Sequence, residues 1–271
     1  MFISRCPSMM RAALCLCLIG LMDAWQWPRI PARRLVAAAF SVGGCLLGGP
    51  LLSPSALAVD YYDANVAAKY DKLDGGPAAD ALGLNRLRDE AGSKARGSVL
   101  EVAVGTGLQA RHYDLAAVTA YTGIDLSPSM LAQARAKWAA EPALAAKRPE
   151  LVVMDAASLA YPTASFDSVV DTFSMCVFPD PGAALAEMTR VLKPGGRLVL
   201  LENSISTNPL LRLVQSVTEP LVTPLAKGCK WDVDVPALVA RQEAAGLLRV
   251  EERTDEQMGS VVLLVSRRLG Q

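Results

Sequence analysis

Three carboxylates stand where an acid is out of place. Glu101 lies inside the apolar run Val99-Leu100-Glu101-Val102-Ala103-Val104, which breaks into Gly105-Thr106-Gly107. Asp125 closes Ala120–Ile124, and Asp155 closes Leu151–Met154. An ionisable group within an apolar strand costs free energy unless something pairs with it. A cationic or hydrogen-bond-donating ligand beyond the strand end would supply the partner for Glu101. An ionised carboxylate offers only acceptors, so Asp125 suits a grip on two vicinal ribose hydroxyls. Asp155, with Ala156 beside it, suits recognition of an adenine edge. Gly105 and Gly107 lack Cβ, so the main chain there can turn sharply and lie against a ligand.

For these groups to meet, their runs must be parallel strands of one sheet, whose carboxyl ends share a crevice. The order of the chain supports that arrangement. Asp60–Leu87 is helical in tendency, with a break at Asp74-Gly75-Gly76-Pro77, and the Glu101 strand follows Gly97. Gly107–Val118 reads as a short helix and Ala120–Ile124 as the second strand. Ser127-Pro128 starts a helix running to about Ala140, with a hydroxyl N-cap and proline at the first helical position. Leu151–Met154 and Phe166–Phe173 read as further strands. Asp180-Pro181 caps a helix to Leu192, and Lys193-Pro194-Gly195-Gly196 turns it into the strand Arg197–Leu201. Pro236–Ala245 is a helix stopped by Gly246. Leu247–Glu252 and Ser260–Ser266 then follow as two strands joined around Gly259. A short turn makes that pair antiparallel. The alternation predicts an α/β fold: a Rossmann-like, seven-stranded, mostly parallel sheet with helices on both faces and an antiparallel C-terminal strand pair.

Composition narrows the function. The 271 residues carry Lys+Arg 27 against Asp+Glu 27, and this balance argues against a general nucleic-acid binder, which needs a basic stripe. Four of the 6 Cys (Cys6, Cys15, Cys17, Cys45) fall in the N-terminal segment, leaving Cys176 and Cys229 for the globular part. No paired spacing suggests a metal site or a disulfide framework, and one His excludes a multi-histidine metal centre. No metal is expected.

Residues 1–58 read as an address, with the folded domain over 59–271. Arg11 precedes the apolar run Ala12–Met22, which is too short to span a bilayer and matches a signal-peptide core. Arg33-Arg34, the apolar Leu35–Leu52 and Ser55-Ala56-Leu57-Ala58 resemble a twin-arginine export signal cut before Val59. Two addresses in series resemble the presequences of plastid proteins, with a thylakoid-lumen or membrane-associated destination. The other reading is a single membrane anchor over Leu35–Leu52.

Two cofactors fit the glycine turn. Gly105, Gly107 and Ala110 with Asp125 satisfy the dinucleotide pattern of a nicotinamide enzyme. Glu101 speaks for S-adenosyl-L-methionine instead, because an acid repels a pyrophosphate but attracts the cationic amino group of a methionine moiety. The two strands that finish the chain, where a second nucleotide-binding half would stand, argue the same way.

Here the motifs resemble a family, the class I S-adenosylmethionine-dependent methyltransferases. Glu101–Gly107 resembles their first motif, Asp125-Leu-Ser-Pro-Ser-Met-Leu131 their ribose-binding acid and following helix, and Asp155–Leu159 their adenine-contacting turn. Phe166–Thr172 and Val191–Leu198 resemble the fourth and fifth strand motifs. The resemblance covers about Asp60 to Arg267, and its closest flavour is the small-molecule branch of ubiquinone/menaquinone-type and methyltransferase-like enzymes. It implies cofactor contacts at Glu101, Ala103, Gly105, Gly107, Asp125, Leu126, Met130, Asp155, Ala156 and Thr172. It also implies in-line methyl transfer to a small, hydrophobic acceptor by a monomer, with no nucleic-acid partner. Ala103 stands where the family often has glycine, and the Asn/Asp-Pro-Pro-Tyr run of base-methylating enzymes is absent after Asp171. A cofactor-binding member without catalysis, and an NAD(P)-dependent oxidoreductase, are the alternatives.

No residue is singled out as a catalytic base. His112, behind the glycine turn, is a candidate base or a surface or helix-end histidine, Glu202 could face the acceptor or merely cap, and Cys176 reads as a buried, inert thiol. Tyr61, Tyr62 and Tyr70 either pack on the domain or form a lid. Ser204–Lys230 is rich in Leu and Val. It suits a lipid, quinone or hydrophobic thiol acceptor, or shallow peripheral membrane contact, with ordinary core packing as the other reading.

Overall fold

In a computed structural model the structure describes residues 64–223 and 228–270. The expected presequence, the Val59 cut, Tyr61 and Tyr62 lie outside those residues. The chain enters through α1 (Ala64–Asp74), α2 (Pro77–Ala81) and α3 (Leu84–Lys94), with the break at Gly75-Gly76 where the sequence places it. Then come β1 (Gly97–Val102), β2 (Val118–Asp125), α4 (Pro128–Ala140), α5 (Pro142–Ala145), β3 (Glu150–Val153) and β4 (Phe166–Thr172). The second half is α6 (Pro181–Val191), β5 (Leu192–Asn203), α7 (Pro209–Val222), α8 (Val235–Ala244), β6 (Leu248–Glu256) and β7 (Val261–Arg268).

The seven strands form one sheet in the order β3-β2-β1-β4-β5-β7-β6. Strands β1 to β5 run parallel, and β7 pairs antiparallel with both β5 and β6. Successive residues of a strand face opposite sides, and this splits the core into two layers. Leu100, Val102, Val169, Leu198 and Leu200 pack against α6 and α8 through Leu185, Met188, Val235 and Val239. Val99, Tyr121, Val170, Val199 and Leu201 pack on the other face against Leu87, Ala91, Leu131 and Trp138 of α3 and α4.

Helix starts follow local chemistry. Ser127 accepts from Met130 N at the head of α4, Asp180 from Ala183 N at α6, Asn208 from Leu210 N and Leu211 N at α7, and Asp234 from Ala237 N at α8. Each of these helices carries proline in its first turn, where the missing N–H would have had no intrahelical acceptor.

Two elements differ from expectation. Gly107–Val118 is not a helix: a single 3-10 turn, Ala110–His112, ends where Tyr113 turns extended (φ −79°, ψ 140°). Tyr113 is buried against Glu101, and that inward pull stops the helix. Lys193–Gly196 is not a free turn either. It is a bulge inside β5, where the pairing with β4 jumps from Phe166↔Leu192 to Ser168↔Arg197.

Gly92, buried in α3, marks a close approach. A Cβ there would sit 2.0 Å from the carbonyl oxygen of His112. Alanine ordinarily gains about 1 kcal/mol over glycine in a helix; here overpacking against backbone reverses the sign. Gly92→Ala is expected to lower unfolding free energy by about 1–3 kcal/mol, measured by urea unfolding, and a stabilised variant would contradict this packing.

Candidate active site

The carboxyl ends of β1, β2, β3 and β4 open onto one cavity of about 260 Å³. Ala103 and Gly105 form its floor, Asp125, Leu126 and Met130 one flank, and Asp155 and Ala156 the next. Thr172 and Phe173 continue the wall from β4, with Val177, Phe178 and Tyr70 around the mouth.

Asp125 organises this end of the sheet. Its Oδ2 accepts the Gly105 N–H at 2.8 Å and its Oδ1 accepts the Ser127 N–H at 2.8 Å. One carboxylate thus joins the turn after β1 to the turn after β2. Burial pushes its pKa up, and the two N–H donors pull it back. A carboxylate has about four acceptor positions, so two remain to face a ligand. Asp155 is held likewise, with Oδ1 accepting from Ala157 N at 2.8 Å.

The turn after β1 needs left-handed backbone. Gly105 has φ +56° and Gly107 φ +76°, which glycine adopts without strain. Ala103 also has positive φ (+49°), a conformation costly for a residue with a Cβ. Thr106 is buried and donates to Asp71 Oδ1 at 2.5 Å, while Asp71 Oδ2 meets Lys137 Nζ at 2.7 Å. The turn is thereby fastened to α1 and α4.

Eight of the ten residues expected at the cofactor line this cavity: Ala103, Gly105, Asp125, Leu126, Met130, Asp155, Ala156 and Thr172. Glu101 and Gly107 do not. Gly107 lies against α4, within 3.5 Å of Ala134 for an added Cβ. Glu101 faces the second core layer, 2 % exposed, and its Oε2 accepts the hydroxyls of Tyr113 and Tyr121, each at 2.7 Å. The partner that the sequence leaves to a ligand comes from within the protein. Trp138 packs on Tyr121 with ring centroids 4.1 Å apart.

Burial raises the Glu101 carboxyl to about 7, against the lowering effect of the two tyrosine hydroxyls. Asp171 and Glu202 are fully buried on the opposite face; burial pushes both up, with the charge of Glu101 adding to it at Asp171 and the charge of Asp171 adding to it at Glu202. Glu202 does not face the cavity: it accepts the N–H groups of Ser174 and Met175, each at 3.1 Å. His112 pairs with Asp89 at 2.6 Å through Nδ1. Burial lowers its pKa, with Asp89 opposing.

Sequence reasoning missed the wall beyond β4. Phe173 has φ +59°, and this kink turns Ser174 and Val177 toward the cavity. Beneath it the buried guanidinium of Arg88 lies 4.9 Å from the Phe173 ring centroid and donates to Thr172 Oγ1 at 3.4 Å. The signal was present in Thr172-Phe173-Ser174-Met175-Cys176-Val177-Phe178, an apolar continuation too long for the strand alone.

The raised Glu101 carboxyl has a consequence for stability. The folded state holds a proton between about pH 4.5 and 7 that the unfolded chain has released. This contribution is therefore complete below about pH 4.5 and is lost as pH rises through about 7. Glu101→Gln is expected to make stability fall less steeply with pH across that window. Urea unfolding of both proteins checks it, and equal slopes would contradict the burial of this acid.

A protein-family model described as a methyltransferase domain matches residues 100–200. The phosphatidylethanolamine N-methyltransferase of Cereibacter sphaeroides is 44% identical over 180 residues, 65% of this chain and 82% of its own length. The ubiquinone/menaquinone biosynthesis C-methyltransferase UbiE of Hahella chejuensis is 34% identical over 168 residues, 59% of this chain and 66% of its own. A SAM-dependent methyltransferase from Aquifex aeolicus shares the fold with a TM-score of 0.54 at 18% identity, over 76% of this chain and 99% of that one. The sheet order, the matched domain and a relative of this identity over most of its length agree: the chain belongs to the class I S-adenosylmethionine-dependent methyltransferases and is a methyl-transferring enzyme.

Proposed function

We propose that the cavity holds S-adenosyl-L-methionine and that the enzyme, acting as a monomer, methylates the polar head of a lipid or quinone-like acceptor. The observation that carries this reading is the union of two walls in one cavity, a carboxylate-bearing flank and an apolar mouth. Asp125 would grip the ribose hydroxyls with its two remaining acceptor positions. Asp155 and Ala156 would meet the adenine, with Leu126 and Met130 on the base and Ala103, Gly105 and Thr172 around the methionine end. Bound there, the donor supplies an electrophilic sulfonium methyl. The chain's own work is alignment, since holding two reactants in line is worth up to ~7–11 kcal/mol. Phe173, Val177 and Phe178 exclude water from the acceptor side.

The acceptor class rests on α7 and on the relatives. Leu210, Leu213, Val217 and Leu221 are 60–73% exposed, so the insert does not fill the core. An amphipathic helix that presents such a face suits the boundary of a bilayer. Among the described residues no helix is long and apolar enough to cross a membrane. One relative is named for phosphatidylethanolamine and another for ubiquinone and menaquinone. The first, at 44% identity, favours a lipid amine. The reading extends to a plastid destination, supported by the tandem arrangement of Arg11–Met22 and Arg33–Ala58. Sequencing the N-terminus of mature protein tests it, with a start near Val59 expected.

Asp125→Ala is expected to weaken donor binding ~10- to 150-fold, the loss of hydrogen bonds to a charged group worth ~1.5–3 kcal/mol. Calorimetry with S-adenosyl-L-methionine measures it, and unchanged affinity rejects the ribose role. For the acceptor, labelled methyl should pass to phosphatidylethanolamine in vesicles. Leu213→Asp with Val217→Asp should abolish vesicle sedimentation while donor affinity holds. Transfer to demethylated quinone with none to the lipid would move the acceptor to the quinone class.

A further inference from the structure

The two cysteines of the described domain, 53 positions apart in sequence, bring their Sγ atoms to 2.6 Å. Neither is joined to another group by a covalent bond. The main-chain carbonyls of both cysteines are held by hydrogen bonds. Lys230 N donates to Cys176 O at 2.9 Å, and Thr223 Oγ1 at the end of α7 donates to Cys229 O at 3.2 Å. Cys176 is 2 % exposed, whereas Cys229 is only half-buried. Cys176 sits between Ser174 and Val177, both on the cavity wall.

We infer that Cys176 and Cys229 form a redox-responsive pair that closes into a disulfide, fastening the connection between α7 and α8 to the rim of the cavity. The half-buried Cys229 is the point of entry. Its thiolate attacks one sulfur of a low-molecular-weight disulfide and displaces one thiolate. The Cys176 sulfur then attacks the Cys229 side of the mixed disulfide and displaces the second. Two protein thiols are oxidised, one small disulfide is reduced to two thiols, and the two protons pass to the leaving thiolates. The hydrogen-bonded contact between Gly228–Lys230 and the segment after β4 then becomes a covalent one. The reading stands on sulfur placement, not on the identity of the methyl acceptor.

The test takes the full chain through a series of reduced and oxidised glutathione buffers in the folded state. Free thiols are trapped by alkylation and the disulfides mapped by peptide mass without reduction. Trypsin releases Cys229 on the peptide Gly228–Lys230, so its partner is unambiguous among the 6 Cys. The expected result is the loss of two alkylation sites, with Gly228–Lys230 joined to the Cys176 peptide and both thiols regained on return to reduced buffer. Cys229→Ser, at the half-exposed position, should remain folded by circular dichroism and leave Cys176 alkylated throughout. Recovery of both thiols at the most oxidising ratio overturns the inference. So does pairing of Cys229 with an N-terminal cysteine, or closure only in unfolded protein.

Discussion

A single carboxylate, shared between neighbouring strand ends, holds the site open. In a parallel sheet the turns after β1 and β2 diverge, and each carries main-chain N–H groups with no strand left to receive them. Asp125 accepts one from each, Gly105 and Ser127, at equal distance. That fixes the β1 turn in its left-handed course and aims α4, whose cap begins at Ser127. The same side chain keeps acceptor capacity facing the cavity. Structure and recognition therefore draw on one group, and burial raises its pKa only against two donors that favour the charged form.

The other acids divide by surroundings. Glu101 rests under two tyrosine hydroxyls behind the turn, away from the cavity wall. Asp171 and Glu202 lie on the opposite face of the sheet, where Glu202 receives the N–H groups of Ser174 and Met175 just beyond β4. These buried carboxyls bind the protein's own donors: they shape the strand ends on which the cavity is built. Arg88 adds a buried cation beneath the same wall, stacked near Phe173.

Much of the architecture was legible because its signals are local. Ser127-Pro128 and Asp180-Pro181 announce helix starts through side-chain geometry that needs no distant partner. Apolar runs closed by acids announced the strands and, with Gly105, the cavity flank. What escaped depends on tertiary partners. Nothing in Glu101-Val102 reveals that Tyr113 and Tyr121 will turn inward to meet the acid, or that this ends the expected helix after Gly107. The exposure of α7 was equally hidden, since leucine and valine at helical spacing read alike whether they meet core or solvent. Two cysteines 53 positions apart carry no spacing rule, so only the fold brings them together.

The strand order has a bearing on biogenesis. β7, the seventh strand of this sheet to be synthesised, lies between β5 and β6 and hydrogen-bonds to both. Until Val261–Arg268 has emerged from the ribosome, β6 has no strand partner and the antiparallel edge of β5 stays open. Folding is thus completed from the interior of the sheet by its latest strand, and a nascent chain short of that strand leaves this half of the sheet unfinished.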